Sequence, residues 1–247
     1  MFKTLRFLAP LGALAVFATP ASALVLLDDF TQGATDLEIN GGTAVLEDQQ
    51  TGSSTNLLGG ERDVRFVVQS NPFNRRARFE IDPLQGASFQ ATGPGIRALL
   101  QLDYDGSDNE AASPNVLTPA SGGLNLDLSG EDRFRFNFLF ADQGLDVKVD
   151  LYTYGQTESH SSAMFTTTAV TDEPQVLELN FSQFSAVGGG QAATFADIDR
   201  IVISISSQNA ATDFALGNVR AVPEPASFAA MGLGIAGLLA RRKKRNK

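Results

Sequence analysis

The densest group of side chains that could do chemistry is an acidic segment near the middle of the chain. It holds four carboxylates, at Asp103, Asp105, Asp108 and Glu110. Carboxylate oxygens suit Ca²⁺, but an EF-hand loop needs them at positions 1, 3 and 5 with glycine at position 6. Counted from Asp103, the glycine stands at position 4, which excludes an EF-hand. We expect a solvated turn, because Asp, Asn, Ser and Gly form turns, with a different kind of calcium loop as the alternative.

A second acidic set lies near the two ends of the central region. Asp28 or Asp29 could meet Asp213 around a structural ion if the first and last strands are neighbours. This arrangement is favoured less than the acidic segment. We therefore predict no metal site and no cofactor, with structural calcium as the alternative.

Catalytic motifs are scarce. His160 is the only histidine and the chain has no cysteine, so a two-histidine metal site, a thiol nucleophile and a disulfide are all excluded. No G-x-S-x-G is present, and we expect His160 to be an exposed loop residue. With 28 acidic residues the sequence cannot single out the carboxylate pair of a glycosidase. We predict no catalytic residues. The alternative is a secreted polysaccharide-active enzyme, a hydrolase or lyase using a carboxylate pair.

Two tyrosines form the best candidate ligand surface. Sugar-binding surfaces use flat aromatic side chains with polar edges, and the chain offers three tyrosines and no tryptophan. Tyr152 and Tyr154 are two residues apart, so on a strand they share the face opposite Val147, Val149 and Leu151. We predict these tyrosines as the ligand face. A half-exposed sheet surface that binds nothing is the alternative.

Charge excludes one class of partner. Residues 24 to 240 carry 11 basic and 28 acidic side chains, a net charge of −17, which opposes binding to nucleic acid. Arg75, Arg76 and Arg78 form a basic patch that could attract an acidic polysaccharide. We expect them instead to pair with the protein's own carboxylates.

The elements that must position these residues are β-strands. Phe134, Phe136, Phe138 and Phe140 alternate with other residues over 133–140, which predicts a strand that buries four phenylalanines and exposes Arg133 and Arg135. The alternating segment 145–154 follows after a turn at 142–144, and we expect the two strands to pair as a hairpin. Further predicted strands are 24–30, 43–47, 64–69, 77–81, 96–103, 124–128, 163–168, 175–180, 200–206 and 213–219.

Residues 24–222 show no apolar residues at helical spacing, apart from one possible turn around Ser182 to Phe184. Short strands with Gly, Asn, Asp and Pro between them predict an all-β fold, an antiparallel β-sandwich or jelly roll in one domain.

The N-terminal 23 residues are typical of a secretory signal peptide. Lys3 and Arg6 precede an apolar run over 7–17, and small residues stand at Ala21 and Ala23. We expect a signal peptidase to cleave after Ala23, which makes Leu24 the first mature residue.

The C-terminal residues 223–247 combine three features in a fixed order. Pro223, Glu224 and Pro225 precede an uncharged run over 226–240, and a basic tail begins with Arg241 and Arg242. A helix of these 15 residues is about 22 Å long, short of the roughly 30 Å hydrocarbon core. We therefore expect a transmembrane helix that anchors the chain transiently, with the basic tail in the cytoplasm.

This arrangement resembles the PEP-CTERM sorting signal of Gram-negative bacteria. The resemblance implies recognition by an exosortase, removal of the tail near Pro223 to Pro225, and delivery to the cell surface or an exopolysaccharide biofilm matrix. The phrases LVLLDDF, FADIDRIVISIS and TDFALGNVRAV resemble jelly-roll domains related to carbohydrate-binding modules, and bring no site residues with them. We predict an exported, non-catalytic protein that is structural or binds carbohydrate weakly.

Overall fold

The computed structural model describes residues 24–91, 93–107, 123–154, 159–169 and 174–223. The predicted signal peptide with Ala21 and Ala23, and the segment 224–247 with the predicted transmembrane helix, Arg241 and Arg242, lie outside these residues. In the described ranges there are fourteen strands, β1 (Val25–Asp28), β2 (Thr35–Asn40), β3 (Ala44–Thr51), β4 (Glu61–Ser70), β5 (Arg76–Asp82), β6 (Gly86–Ala91), β7 (Arg97–Tyr104), β8 (Arg133–Ala141), β9 (Leu145–Thr153), β10 (Ser159–Thr166), β11 (Gln175–Asn180), β12 (Ser185–Ala186), β13 (Arg200–Ser207) and β14 (Phe214–Val222).

The strands form two antiparallel sheets. Sheet 1 has the order β11-β8-β14-β6-β5-β2, with β1 also paired to β14, and sheet 2 has the order β12-β10-β9-β13-β7-β4-β3. Aromatic contacts join the inner faces, with ring centroids 5.8 Å apart for Phe66 and Phe89 and 5.4 Å apart for Phe136 and Phe165. The predicted all-β antiparallel sandwich is confirmed.

The alternation of side chains explains why these segments are strands. In β9, Val147, Val149 and Leu151 are fully buried, while Lys148 between them is exposed. Burying such a face stabilises a sheet only when a second apolar layer covers it. Sheet 1 provides that layer through the phenylalanines of β8.

The predicted hairpin of β8 and β9 is wrong. β8 pairs with β11 and β14 in sheet 1, whereas β9 pairs with β10 and β13 in sheet 2. The turn 142–144 therefore carries the chain from one sheet to the other. Both strands have a complete apolar face, and stacking them in opposite sheets lets each face cover the other.

The prediction that four phenylalanines of β8 are buried is correct for three of them. Phe134, Phe136 and Phe138 are at most 1% exposed, but Phe140 is 37% exposed. Leu216 of β14 is paired with Phe138 and the next pair is Ala215 with Phe140, so Leu139 is an extra residue in β8. This bulge shifts the alternation by one residue and turns Phe140 outward.

The exposure predicted for two arginines of β8 holds only in part. The side chain of Arg135 is 40% exposed and that of Arg133 only 19%, and both pair with Glu178 of β11. The cross-strand carboxylate draws both guanidinium groups along the sheet surface.

Other strand predictions differ at particular segments. The predicted strand 124–128 is an irregular segment with one isolated bridge, between Leu126 and Ile198. β2, β6 and β12 were not predicted. β2 contains Asp36, Glu38 and Asn40, which have low β-propensity, β6 is built largely from small residues, and β12 has two residues. The predicted turn near Ser182 is a 3₁₀ turn at Phe181–Gln183.

No helix in the described part of the chain has the length and hydrophobicity required to cross a membrane.

Candidate functional site

A row of polar side chains crosses the outer face of sheet 2. This polar row consists of five residues, each directly opposite the next on the neighbouring strand: Glu47, Arg65, Gln101, Ser204 and Lys148. Residues directly opposite on paired strands point to the same face, so the row is continuous over five strands. These strands are far apart in sequence, and the pairing of the sheet alone brings the five side chains together.

Hydrogen bonds orient the polar row. Arg65 Nη1 donates to Gln101 Oε1 at 3.0 Å, and Gln101 Nε2 donates to Ser204 Oγ at 3.3 Å. Arg65 Nε lies 3.2 Å from a Glu47 oxygen. The amide and hydroxyl groups are therefore held in defined orientations at a surface that solvent reaches.

Two carboxylates beside the polar row are held by cations. Asp103 accepts hydrogen bonds from Arg200 Nε at 2.9 and 3.0 Å, and both side chains are 1% exposed. Asp150 lies 2.9 Å from Lys148 Nζ and 2.9 Å from His160 Nε2. Buried charges need such partners, so these carboxylates serve the structure of the face.

An aromatic stack lies at the end of the same face. The rings of Tyr152 and Tyr154 are stacked, with centroids 6.3 Å apart and planes within 6°. His160 stacks on Tyr152 at 4.3 Å, and the Arg200 guanidinium carbon lies 5.5 Å from the Tyr152 ring centroid. Arg200 and His160 are opposite Tyr152 on the two neighbouring strands, so they cover both flat sides of its ring.

The two tyrosines of the predicted ligand face therefore have different surroundings. Tyr152 is 9% exposed, because His160 and Arg200 lie against its ring. Tyr154, just beyond the end of β9, is half-buried. Their role in ligand binding stays a prediction.

His160 is not the exposed loop residue that we expected. It lies on β10 with its side chain 22% exposed, hydrogen-bonded to Asp150 and stacked on Tyr152. β10 begins at Ser159, four residues before the predicted strand, because its serines can be buried through hydrogen bonds. Ser161, for example, is 2% exposed and its Oγ accepts from the Ala193 amide at 2.9 Å.

Burial changes the acid–base properties of the aromatic stack. Burial and the nearby Asp150 carboxylate raise the pKa of Tyr152 to about 12. Burial disfavours the charge of Arg200, but the hydrogen-bonded Asp103 carboxylate outweighs it and raises the pKa of that guanidinium above its ordinary range. At neutral pH the stack consists of a neutral phenol beside a permanent cation.

The raised pKa of Tyr152 predicts a loss of stability at alkaline pH. Between pH 10 and 12 an unfolded tyrosine loses its proton while the folded one keeps it, so unfolding becomes more favourable as the pH rises. Tyr152→Phe should remove about 2 to 3 kcal/mol of this pH-dependent loss. Urea unfolding of both proteins at pH 9 and pH 12 measures the difference. Equal losses in the two proteins would contradict the assignment.

A three-carboxylate cluster could hold a metal ion. Among the described residues, carboxylate oxygens of Glu61, Asp63 and Asp105 lie within 4.8 Å of one another. An all-oxygen donor set is the kind that Ca²⁺ prefers, although Ca²⁺ takes about 6 to 8 ligands. Asp105 belongs to the acidic segment singled out in the sequence, whereas Glu61 and Asp63 come from β4.

The acidic segment itself is not a solvated turn where the structure describes it. Asp103 is 1% and Asp105 9% exposed, because β7 continues to Tyr104 and its end is covered by neighbouring elements. Asp108 and Glu110 lie outside the described residues.

The terminal-strand carboxylates, which the sequence offered as a less favoured candidate for an ion site, do not come together. Asp28 pairs with Arg62 and accepts from the Tyr104 hydroxyl at 2.9 Å, and Asp29 binds Thr31. Asp213 accepts from the Ala91 amide at 2.6 Å and precedes the first residue of β14, while β1 pairs with the other end of that strand. The carboxylates therefore lie toward opposite ends of β14.

Two members of the basic patch pair with acidic side chains of the protein, as expected. Arg76 lies 2.7 Å from Glu38, and Arg78 lies 2.6 Å from Asp36 and 2.7 Å from Glu80, on the outer face of sheet 1. These exposed pairs cover the surface of that sheet with mutually satisfied charges.

The fold defines the protein as an all-β antiparallel sandwich, and solved structures with similar strand arrangements exist. A family 11 carbohydrate-binding module from Clostridium thermocellum in complex with a β-1,3-1,4-mixed-linked tetrasaccharide is 14% identical, with a TM-score of 0.39 over 82% of this chain and 98% of that one. The family 11 module of the cellulosomal cellulase Lic26A-Cel5E of Clostridium thermocellum is 13% identical, with a TM-score of 0.40 over 82% and 96%. Likeness at this level is distant and says nothing about a ligand of this chain.

The C-terminus carries a recognisable motif. Residues 221–245 match the PEP-CTERM protein-sorting motif, a stretch that includes Pro223, Glu224, Pro225, Arg241 and Arg242. The motif implies an exported protein that is sorted to the cell surface and processed by an exosortase. No curated protein sequence matches the chain.

Proposed function

We propose that the mature protein is a non-catalytic component of the cell surface or extracellular polysaccharide matrix, and that it binds polysaccharide weakly through the outer face of sheet 2. The observation that carries the proposal is the polar row beside the edge of the aromatic stack. Sugar hydroxyls are bound by amide, guanidinium and hydroxyl groups held in place, next to aromatic surface. Sheet 2 offers these groups together.

The proposed affinity is low for two physical reasons. Glu47 and Lys148 of the polar row are exposed and its other three side chains are half-buried, so a bound glycan stays partly in contact with water. Both flat sides of the Tyr152 ring are covered by protein groups, which leaves its edge and Tyr154 for contact with a sugar. A surface of this kind suits a polymer that is held at many weak sites.

The carboxylates of this face support a non-catalytic role. A glycosidase needs one carboxyl group to donate a proton and a second to act as nucleophile or base. Asp103 and Asp150 instead form salt bridges with Arg200 and Lys148, and His160 is hydrogen-bonded to Asp150. The alternative of a hydrolase or lyase draws on the cluster of Glu61, Asp63 and Asp105, and a reducing-sugar assay on the same polysaccharides distinguishes it.

We further propose a processing order. Residues 1–23 act as the signal peptide that signal peptidase removes, residues 24–222 form the mature domain, and residues 223–247 anchor it transiently in the inner membrane of a Gram-negative bacterium. The exosortase then releases the domain to the outer surface, where the exopolysaccharide is its partner. The net charge of the domain makes nucleic acid an unsuitable partner.

Affinity measurements on the protein of residues 24–222 test the proposed binding. Gln101 is central in the polar row, so Gln101→Ala should weaken binding to the matching polysaccharide by about tenfold through the loss of one or two hydrogen bonds. Isothermal titration against neutral and acidic polysaccharides, followed by affinity electrophoresis, identifies the ligand and measures the change.

Gln90→Ala provides the matched control, because Gln90 is an exposed glutamine on the outer face of sheet 1. It should leave the affinity unchanged within about twofold, since no ligand contact is lost. Equal effects of the two substitutions, or release of reducing sugar by the unmodified protein, would contradict the proposal.

A further inference from the structure

The sorting motif and the sandwich share residues. The motif match begins at residue 221, whereas β14 continues to Val222. Ala221 is 0% and Val222 5% exposed, so both belong to the folded domain. The stretch that matches the motif therefore contains two residues that a sorting enzyme cannot reach in the folded protein.

Backbone pairing holds Ala221 from both sides and Val222 from the side of β8. Ala221 is paired with Val25 of β1 and Phe134 of β8, and the Val222 carbonyl accepts from the Asp132 amide at 2.9 Å. Enzymes that bind an extended chain pair with its free backbone groups, and an interior strand offers none. Binding to residues 221 and 222 would require β14 to leave the sheet.

Pro223 separates the fold from the tail. Proline has no amide hydrogen and cannot continue the strand ladder, and it restricts the preceding residue, Val222, to extended backbone. Only three residues, 223–225, connect Val222 to the apolar run at 226–240, and they span at most about 11 Å. An enzyme that cleaves within residues 223–225 at the membrane therefore lies next to the end of the sandwich.

The N-terminus leaves the sandwich at the same place. Because Val25 pairs with Ala221, the two chain ends emerge side by side from sheet 1. The predicted signal peptidase site lies just before Leu24, one residue ahead of β1. The sandwich can thus close while both flanking segments are still held at the membrane.

We propose that the exosortase acts on the intact sandwich and reads the chain only from Pro223 onward, so that Ala221 and Val222 serve the fold and not recognition. The proposal depends on the exosortase processing that the motif implies, and it is independent of polysaccharide binding.

A spacer tests this directly. Gly-Ser-Gly-Ser is inserted between Val222 and Pro223 of the full chain, which leaves every strand of the sandwich unchanged. Intact mass of the protein recovered from the membrane and surface fractions together, from a host with an active exosortase, measures the fraction that has lost the tail. We expect that fraction to equal the parent's within about twofold. A spacer variant that keeps its tail would overturn the proposal, because the enzyme would then need residues 221 and 222 beside the motif.

The same spacer placed between Glu224 and Pro225 is the matched control. It interrupts the motif itself, and we expect this variant to keep its tail. Tail removal in this variant would also overturn the proposal, since recognition would not depend on the residues from Pro223 onward.

A third variant tests whether β14 must detach from sheet 1 before the exosortase can cleave the chain. Val219 lies in β14 and is fully buried, so Val219→Ala loosens the strand without altering the motif. Processing at the parent's rate supports the proposal, and faster processing would overturn it. A parent chain that keeps its tail would overturn it together with the exosortase step, while the measurements on polysaccharide binding would be unaffected.

Discussion

Arg62→Met is expected to lower the free energy of unfolding by about 3 to 5 kcal/mol. Arg62 is fully buried and forms a salt bridge with Asp28, and its Nη2 donates to the Gly33 carbonyl at 2.9 Å. Its Nε also donates to Gln50 Oε1 at 3.1 Å. Removing the guanidinium leaves a buried carboxylate and an amide oxygen without this partner, and methionine cannot replace those bonds.

Arg78→Met is the matched control for Arg62. Arg78 also pairs with an aspartate, Asp36, but this pair lies at the surface, where salt bridges contribute about 0 to 1 kcal/mol. Urea unfolding at neutral pH measures both variants. Equal losses of stability in the two variants would contradict the conclusion that the buried Arg62–Asp28 salt bridge links β4 to β1 and stabilises the fold.

The second large effect concerns β8. Phe138→Ala should cost about 3 to 5 kcal/mol, because Phe138 is fully buried and its ring contacts Phe214 at a centroid distance of 6.3 Å. Phe140→Ala should cost less than about 1 kcal/mol, since the bulge at Leu139 turns Phe140 to the surface.

Both phenylalanine variants are measured by urea unfolding with the parent protein as reference. A cost for Phe140→Ala as large as that for Phe138→Ala would mean that the alternation continues unbroken, as the sequence alone predicts. The comparison thus tests the bulge and not merely the presence of a strand.

Most strands of this fold could be predicted because their side chains alternate, but their partners could not. The period of two in β8 and β9 identified both strands, and the short turn between them suggested a hairpin. A turn of that length can also lead from one sheet to the other, and the choice depends on which apolar faces cover each other. Whether the turn forms a hairpin or leads to the other sheet depends on the packing of the complete sandwich, so no local sequence pattern can predict it.

The candidate site illustrates the same limit. Tyr152 and Tyr154 could be placed on one face from their spacing, whereas the polar row could not be found. Arg65, Gln101 and Ser204 lie on three strands that are distant in sequence, and each alone looks like an ordinary outward residue. The contact of Tyr152 with His160 was also missed, because the serine-rich first four residues of β10 were not predicted as strand.

The central claim is that polysaccharide binds to the outer face of sheet 2, and a nuclear magnetic resonance titration tests it most directly. Protein of residues 24–222, labelled with ¹⁵N, is titrated with the polysaccharide selected by calorimetry. We predict that the amide signals of Gln101, Lys148 and Ser204 shift in a saturable way, while those of Arg78 and Gln90 on sheet 1 do not. Shifts confined to sheet 1, or none on either sheet, would contradict the claim.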